Sequence, residues 1–231
     1  MVDSIFWWNV SWNAWVTKSY RFVLCGQQEY IRNMNVFKKF NSPYSIQTFL
    51  NKLEYNPEYE TKSPKYVAIT KTANCFEGAL FAAAALKTLS HKPLIVDLIA
   101  ENDDDHVIAV FKENGRYGTI AKSNTTTLRF REPVYRSLRE LIMPYFDFYI
   151  NTLGEKSLRS YSNPVNLSIF DKYEWISTDN DLGFIGDYLY KIHHHKILSR
   201  EMKNSLNVAD KQLRTICFMG SIKKGLFVPV K

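Results

Sequence analysis

The chain has 231 residues, 45% hydrophobic and 23% charged, which suits one large domain, or one domain with a helical extension, and gives enough apolar material for a core. Its formal net charge of +7 raises the question of nucleic acid, but the basic residues are spread along the sequence. No nucleic-acid motif accompanies the tightest group, Arg129, Arg131, Arg136 and Arg139, so a solvated surface explains the charge and nucleic acid is not an expected partner. Cys25, Cys75 and Cys217 are odd in number, far apart and without CxxC spacing, which argues against a disulfide framework or zinc ribbon and for a reducing, cytoplasmic compartment.

Taken in chain order, residues 1–40 are irregular in period and read as an N-terminal arm, with Trp7, Trp8, Trp12 and Trp15 crowded at its start. The apolar stretch from Ile5 to Val16 is broken by Asn9, Ser11 and Asn13, lacks a basic leader and a small-residue cleavage site, and falls short of the roughly twenty apolar residues of a membrane span. Ser45 can cap a helix carrying Ile46, Phe49, Leu50 and Leu53, which Asn56-Pro57 ends; Ser63-Pro64 is a turn. The run from Phe76 to Leu86, dense in alanine and apolar nearly all round, predicts a buried helix with Asn74 as N-cap and Cys75 on its first turn.

Leu94 to Ala100 and His106 to Phe111 predict two strands, separated by a polar turn, Asn102 to Asp105. Asn114-Gly115 is a strong hairpin signal leading into a third strand from Arg116 to Ser123. One or two aromatic-rich helices, interrupted by Pro144, are expected over Arg131 to Ile150. Helices around Leu182–Ile192 and Ser199–Met219 and a short strand at Leu226–Val230 follow. The fold class is therefore α+β: a central helix with Cys75 at its start, packed on an antiparallel sheet with flanking helices. The core is placed at residues 41–155, and residues 156–231 are expected to be a mainly helical extension.

Cys75 and His106 carry the candidate chemistry. A thiol at a helix N-terminus sits in the positive end of the dipole, which favours thiolate, and a histidine opening a central strand is placed to act as its base. If Asn114 and Gly115 form the loop, Ile108 lies opposite Ala121 and His106 opposite Ser123, about 5 Å apart at Cβ. Ser123 is then the neater candidate for orienting the imidazole, and Asn124 the better one if the strand bends. The three aspartates before His106 would raise its pKa. His193, His194 and His195, if helical, point about 100° apart and do not form a shared metal site.

The blocks Ala73–Ala79, Asp103–Val110, Arg116–Gly118, Lys122–Asn124 and Arg129–Arg136 resemble, in the same order, a family of uncharacterised bacterial proteins similar to the transglutaminase-like superfamily. The resemblance covers roughly residues 45–151. It implies a papain-like cysteine core with Cys75 as nucleophile and His106 as base, acting on a peptide, protein or small amide without a cofactor. The superfamily's aspartate, four residues beyond an aromatic on the strand after the histidine, falls here on Ala121, which leaves Ser123 or Asn124 as its replacement. Arg129, Arg131 and Tyr117 are the candidate substrate-binding residues; Arg131, Arg136 and Arg139 could grip an acidic substrate, although buried pairing with Glu132 and Glu140 is their simpler use. The alternative is a non-catalytic binding or scaffold module that turns the Arg129–Arg139 stretch toward an acidic partner.

Overall fold

The computed structural model describes residues 36–229. The chain divides into two compact units, residues 1–39 and 40–231. Of the first, the described part is a single 3-10 turn, Phe37–Lys39, so the expectations for the tryptophan-rich arm and for Cys25 lie outside the described residues.

The second unit opens with helix α1 (Pro43–Asn51), then β1 (Glu54–Tyr55), α2 (Pro64–Thr70), β2 (Thr72–Ala73) and α3 (Cys75–Thr88). Strands β3 (Leu94–Ala100), β4 (His106–Glu113), β5 (Arg116–Ile120) and β6 (Arg131–Tyr135) follow, then α4 (Leu138–Phe146), β7 (Leu158–Ser162) and β8 (Val165–Asn166). Helix α5 (Gly183–Lys191), β9 (His194–Lys196), α6 (Arg200–Asn204) and α7 (Lys211–Cys217) complete it. Strands β3 to β9 form one seven-stranded sheet in the order β6-β5-β4-β3-β7-β9, with β8 also pairing β3, and every pairing in it is antiparallel. The protein is thus α+β. No helix among the described residues is long and apolar enough to cross a membrane.

Helix α3 forms where the alanine-rich run predicts it, and Leu80, Phe81, Ala82, Ala83, Ala85 and Leu86 are fully buried. Gly78 is required by a close approach, because a Cβ there would stand 2.3 Å from Cβ of Lys122. The β4–β5 hairpin also takes the expected register, Glu113 opposite Arg116 and Phe111 opposite Gly118. Asn114 and Gly115 both have positive φ, 50° and 73°, as a two-residue turn matched to the strand twist demands. On the face opposite α3, Ile108, Val110, Val96 and Leu98 pack against Leu141, Ile142 and Tyr145 of α4.

The hairpin ends sooner than its sequence suggests. Pairing stops at Ala109–Ile120, so Ile108 does not pair with Ala121, nor His106 with Ser123. The cause is Gln47 of α1, a fully buried amide in an otherwise apolar helix face. Its Oε1 accepts from Ala121 N–H at 2.9 Å and its Nε2 donates to Ala121 C=O at 2.9 Å, so both main-chain groups of Ala121 are satisfied by a side chain instead of a strand.

Other local expectations change as well. Residues 131–135, expected within a helix, form the edge strand β6; its charges and Pro133 suit an edge, where N–H groups need no partner. Ser42 rather than Ser45 caps α1, with Ser45 returning a bond to Ser42 N–H. Residues 156–231 supply β7, β8 and β9 to the central sheet, so the sheet crosses the boundary expected at residue 155. Leu226 to Pro229 form no strand, and Val230 lies outside the described residues. His194 and His195 lie on β9, not on a helix, and His194 meets the buried Asp97 at 3.1 Å.

Replacing Gln47 by leucine keeps the volume but strands two buried main-chain groups. The expected loss is about 2–6 kcal/mol in urea unfolding, from roughly 1–3 kcal/mol for each of the two groups left unpaired. An unchanged midpoint would show that Ala121 finds other partners.

Candidate active site

Cys75 is the first residue of α3, and its position is fixed by a reciprocal cap. Asn74 accepts from Glu77 N–H at 2.9 Å, while the Glu77 carboxylate accepts from Asn74 N–H at 2.9 Å. Glu77 also takes bonds from Asn56 Nδ2 and Lys62 N–H, so the start of α3 is bound to the segment before it. The half-buried Cys75 donates its S–H to the Asp105 carbonyl at 3.8 Å. The Phe76 N–H at the helix start favours the thiolate as expected but is outweighed. Burial is the largest effect and pushes the thiol up to about 11, with Asp104 and Asp97 adding to the rise and the N–H groups of Val107 and Phe76 opposing it.

His106 opens β4 as expected and is buried, 3% exposed. Its Nε2 lies 2.9 Å from the Leu128 carbonyl. A carbonyl can only accept, so Nε2 carries the proton and Nδ1 keeps its lone pair in the neutral ring. Among the described residues no hydrogen bond reaches Nδ1. The preceding aspartates do not govern this ring: burial lowers its pKa to about 4, opposed by the Leu128 carbonyl and helped by Arg131. At neutral pH both groups are therefore uncharged, and no hydrogen bond joins them.

Neither expected orienter bonds to His106. Ser123 shares a 3.0 Å bond with Thr125, and Asn124 donates to the carbonyls of Ile222 and Gly225. The early end of β5 removes the register that would have set Ser123 opposite the ring. The orienting acceptor is the main-chain oxygen of Leu128, held by a braced loop. Arg131 donates to the carbonyls of Phe130 and Thr127 and lies 4.2 Å over the Tyr145 ring, while Arg129 donates to the Ser123 carbonyl. Tyr145 OH donates to the Arg129 carbonyl at 2.7 Å.

Cys75, His106, Ser123 and Asn124 do line one cavity of about 60 Å³, together with Tyr55, Asp103, Asp104, Asp105, Leu128 and Tyr149. Arg129, Arg131 and Tyr117 do not line it; the arginines brace the loop, and Tyr117 lies in the hairpin, paired with Tyr135 beneath the Lys112 ammonium. The aspartates of the expected polar turn form a wall of this cavity. Asp103 accepts from Ser157 Oγ at 2.6 Å, and the buried Tyr149 hydroxyl donates to the Asp104 carbonyl at 2.7 Å. A main-chain carbonyl such as Leu128's leaves no sequence signal, and neither Tyr55 nor Tyr149 stands in a motif. Among the described residues no group of three or more His, Cys, Asp or Glu side chains is placed to hold a metal ion.

The depressed pKa of His106 predicts a pH signature. Its stabilising contribution is complete above the unfolded value of 6.5 and is lost as pH falls toward about 4. Asp103, raised to about 6 by burial, works in the opposite sense: its contribution is present below about 4 and lost as pH rises through 6. Comparing wild type with His106→Gln, which can still donate to Leu128, cancels the aspartate. Wild type should lose on the order of 3 kcal/mol relative to the variant between pH 6.5 and 4. A flat difference would mean the ring is not held neutral by burial. The chain matches no protein-family model and no curated protein, so the chemistry of this cavity rests on its own geometry.

Proposed function

We propose that this chain is a transglutaminase-like protein performing thiol-dependent acyl transfer on an amide, with Cys75 as nucleophile and His106 as base and then acid. The observation that carries the reading is the tautomer of His106. Tied at Nε2 to the Leu128 carbonyl, the ring keeps Nδ1 unprotonated, and His106 lines the same cavity as a helix-terminal thiol. A cysteine at the start of a buried helix on an antiparallel sheet, with a histidine opening a sheet strand, also fits the fold expected from the resemblance.

Cys75 Sγ attacks the amide carbonyl carbon as its proton passes to Nδ1 of His106. The negative oxygen that forms can be met by the Cys75 N–H, a first-turn donor without an intrahelical acceptor. The C–N bond then breaks as His106 returns the proton to the departing amine, leaving a thioester on Cys75. Water or a second amine attacks that thioester, giving hydrolysis or transamidation, and Sγ regains its proton. The missing Sγ–Nδ1 hydrogen bond is ordinary for an unliganded site, where such bonds tighten only around substrate.

A non-catalytic module on the same fold is the second reading, favoured by one observation: the thiol at rest is protonated and turned to the Asp105 carbonyl. Its basic docking surface is weakened, because Arg129 and Arg131 are engaged with main-chain carbonyls.

The two separate in the pH dependence of Cys75 acylation by p-nitrophenyl acetate. With His106 as base, the rate should be nearly flat from pH 6 to 9, since the ring is already neutral above about 4. In His106→Ala it should fall by roughly 10²–10⁴-fold at pH 7 and climb tenfold per pH unit, as unassisted thiolate does. A wild-type rate that climbs in the same way would remove His106 from the role of base and leave the non-catalytic reading.

A further inference from the structure

Asn124 makes no hydrogen bond to His106, but it fastens another part of the chain beside the cavity that Cys75 lines. Its Nδ2 donates to the carbonyls of Ile222 at 3.0 Å and Gly225 at 2.9 Å, and its Oδ1 accepts from Ile222 N–H at 2.9 Å. Ser221 Oγ donates back to the Asn124 carbonyl at 2.9 Å. The three side-chain bonds of Asn124 go to main-chain atoms, so it holds a polypeptide without reading its side chains. Gly225 lies against the Tyr55 ring so closely that a Cβ would stand 2.7 Å from Cε1 and 3.1 Å from Asn124 Nδ2.

This strap, residues 221–228, walls the cavities that Cys75 lines. Gly225, Leu226 and Phe227 line the 60 Å³ cavity, and they also line a second cavity of about 600 Å³ that contains Cys75, Tyr55, Asn74 and Phe76. The strap is lightly held. Ile222 is 42% exposed, Val228 is 83% exposed, and the Lys224–Glu58 pair at 2.9 Å joins two well-exposed side chains, which contribute little. A segment with few buried apolar contacts opens locally at low free energy.

We infer that the strap occupies, within the same chain, the subsite that takes a polypeptide substrate. Asn124 grips the substrate main chain, Tyr55 admits only glycine beside it, and the strap must leave before substrate enters. This assigns polypeptide, rather than a small free amide, as the substrate class, and it makes the strap an autoinhibitory cover. The assignment rests on the thiol reading above for its chemistry but not for its access control.

The test is the rate of maleimide labelling at Cys75 at pH 8, resolved by peptide mass, with the buried Cys217 as internal control for folding. Shortening the chain after Gly220 should speed Cys75 labelling at least tenfold while Cys217 stays slow. Asn124→Ala in the full chain should speed it at least threefold. Adding a peptide of residues 219–229 to the shortened chain should restore the slow rate, and the same peptide carrying Gly225→Ala should not. If shortening also exposes Cys217, the fold is lost and Asn124→Ala in the full chain decides. Unchanged labelling in folded Asn124→Ala and shortened chains would overturn the cover, and failure of the peptide to protect would overturn the polypeptide subsite. Faster labelling together with an acylation rate insensitive to His106 would keep the cover and reject the catalytic reading, so the two failures are distinguishable.

Discussion

The site depends first on the Glu77 carboxylate. It is almost fully buried, 1% exposed, yet it is satisfied by main-chain and amide donors from three places: Asn74 N–H, Lys62 N–H and Asn56 Nδ2. Burying a carboxylate without partners would be prohibitive, so these bonds stand or fall together. They join the first turn of α3 to the loop that carries Asn56 and to the chain ahead of α2, and Tyr55, which underlies Gly225, is adjacent in sequence to Asn56. Through one side chain, the position of the thiol and the position of the platform beside it become a single constraint.

The second constraint is the loop between β5 and β6. Gln47 ends β5 by taking both main-chain groups of Ala121, and the chain from Lys122 onward is then free to turn toward His106. Tyr145, Arg129 and Arg131 fix that turn by bonds to its carbonyls, and the Leu128 oxygen arrives at Nε2 as a result. Lys122, buried with its ammonium on the carbonyls of Leu50 and Leu53, ties the same loop to the end of α1. Its stem packs against Gly78 of α3, so the loop holding the imidazole touches the helix holding the thiol.

What the sequence made legible is what local chemistry determines. The cap at Asn74, the alanine-rich helix, strands β3 and β4 and the Asn114-Gly115 turn each follow from residues within a few positions of one another. What escaped is long-range or carried by the backbone. Gln47 acts on Ala121 across 74 residues, the Leu128 carbonyl on His106 across 22, and Asn124 on Ile222 across 98. A buried glutamine among apolar helix positions was a usable sign that some main chain needed a partner; a carbonyl oxygen gives no such sign. Asn124, expected to orient the imidazole, lines the cavity but bonds to the strap and not to His106. The segment 131–135 misled because a charged edge strand containing proline lacks the apolar alternation by which inner strands are recognised.

The resting state of the cavity follows from these constraints. A thiolate and an imidazolium in the same buried space would each lose hydration, and burial is the largest effect on both, raising the thiol to about 11 and lowering the imidazole to about 4. The neutral pair is therefore the stable one at rest. Nearby Asp104 and Asp97 further disfavour the thiolate, and Arg131 disfavours the imidazolium, so no resident charge offsets the burial for either group. In the proposed acyl transfer, charge separation would become favourable only when a substrate carbonyl supplies the oxygen on which negative charge settles, next to the N–H groups at the start of α3. On the proposed reading, a thiol that stays neutral at rest is protected from adventitious electrophiles, and the same low polarity that suppresses it would strengthen the transition-state interactions of the acyl transfer.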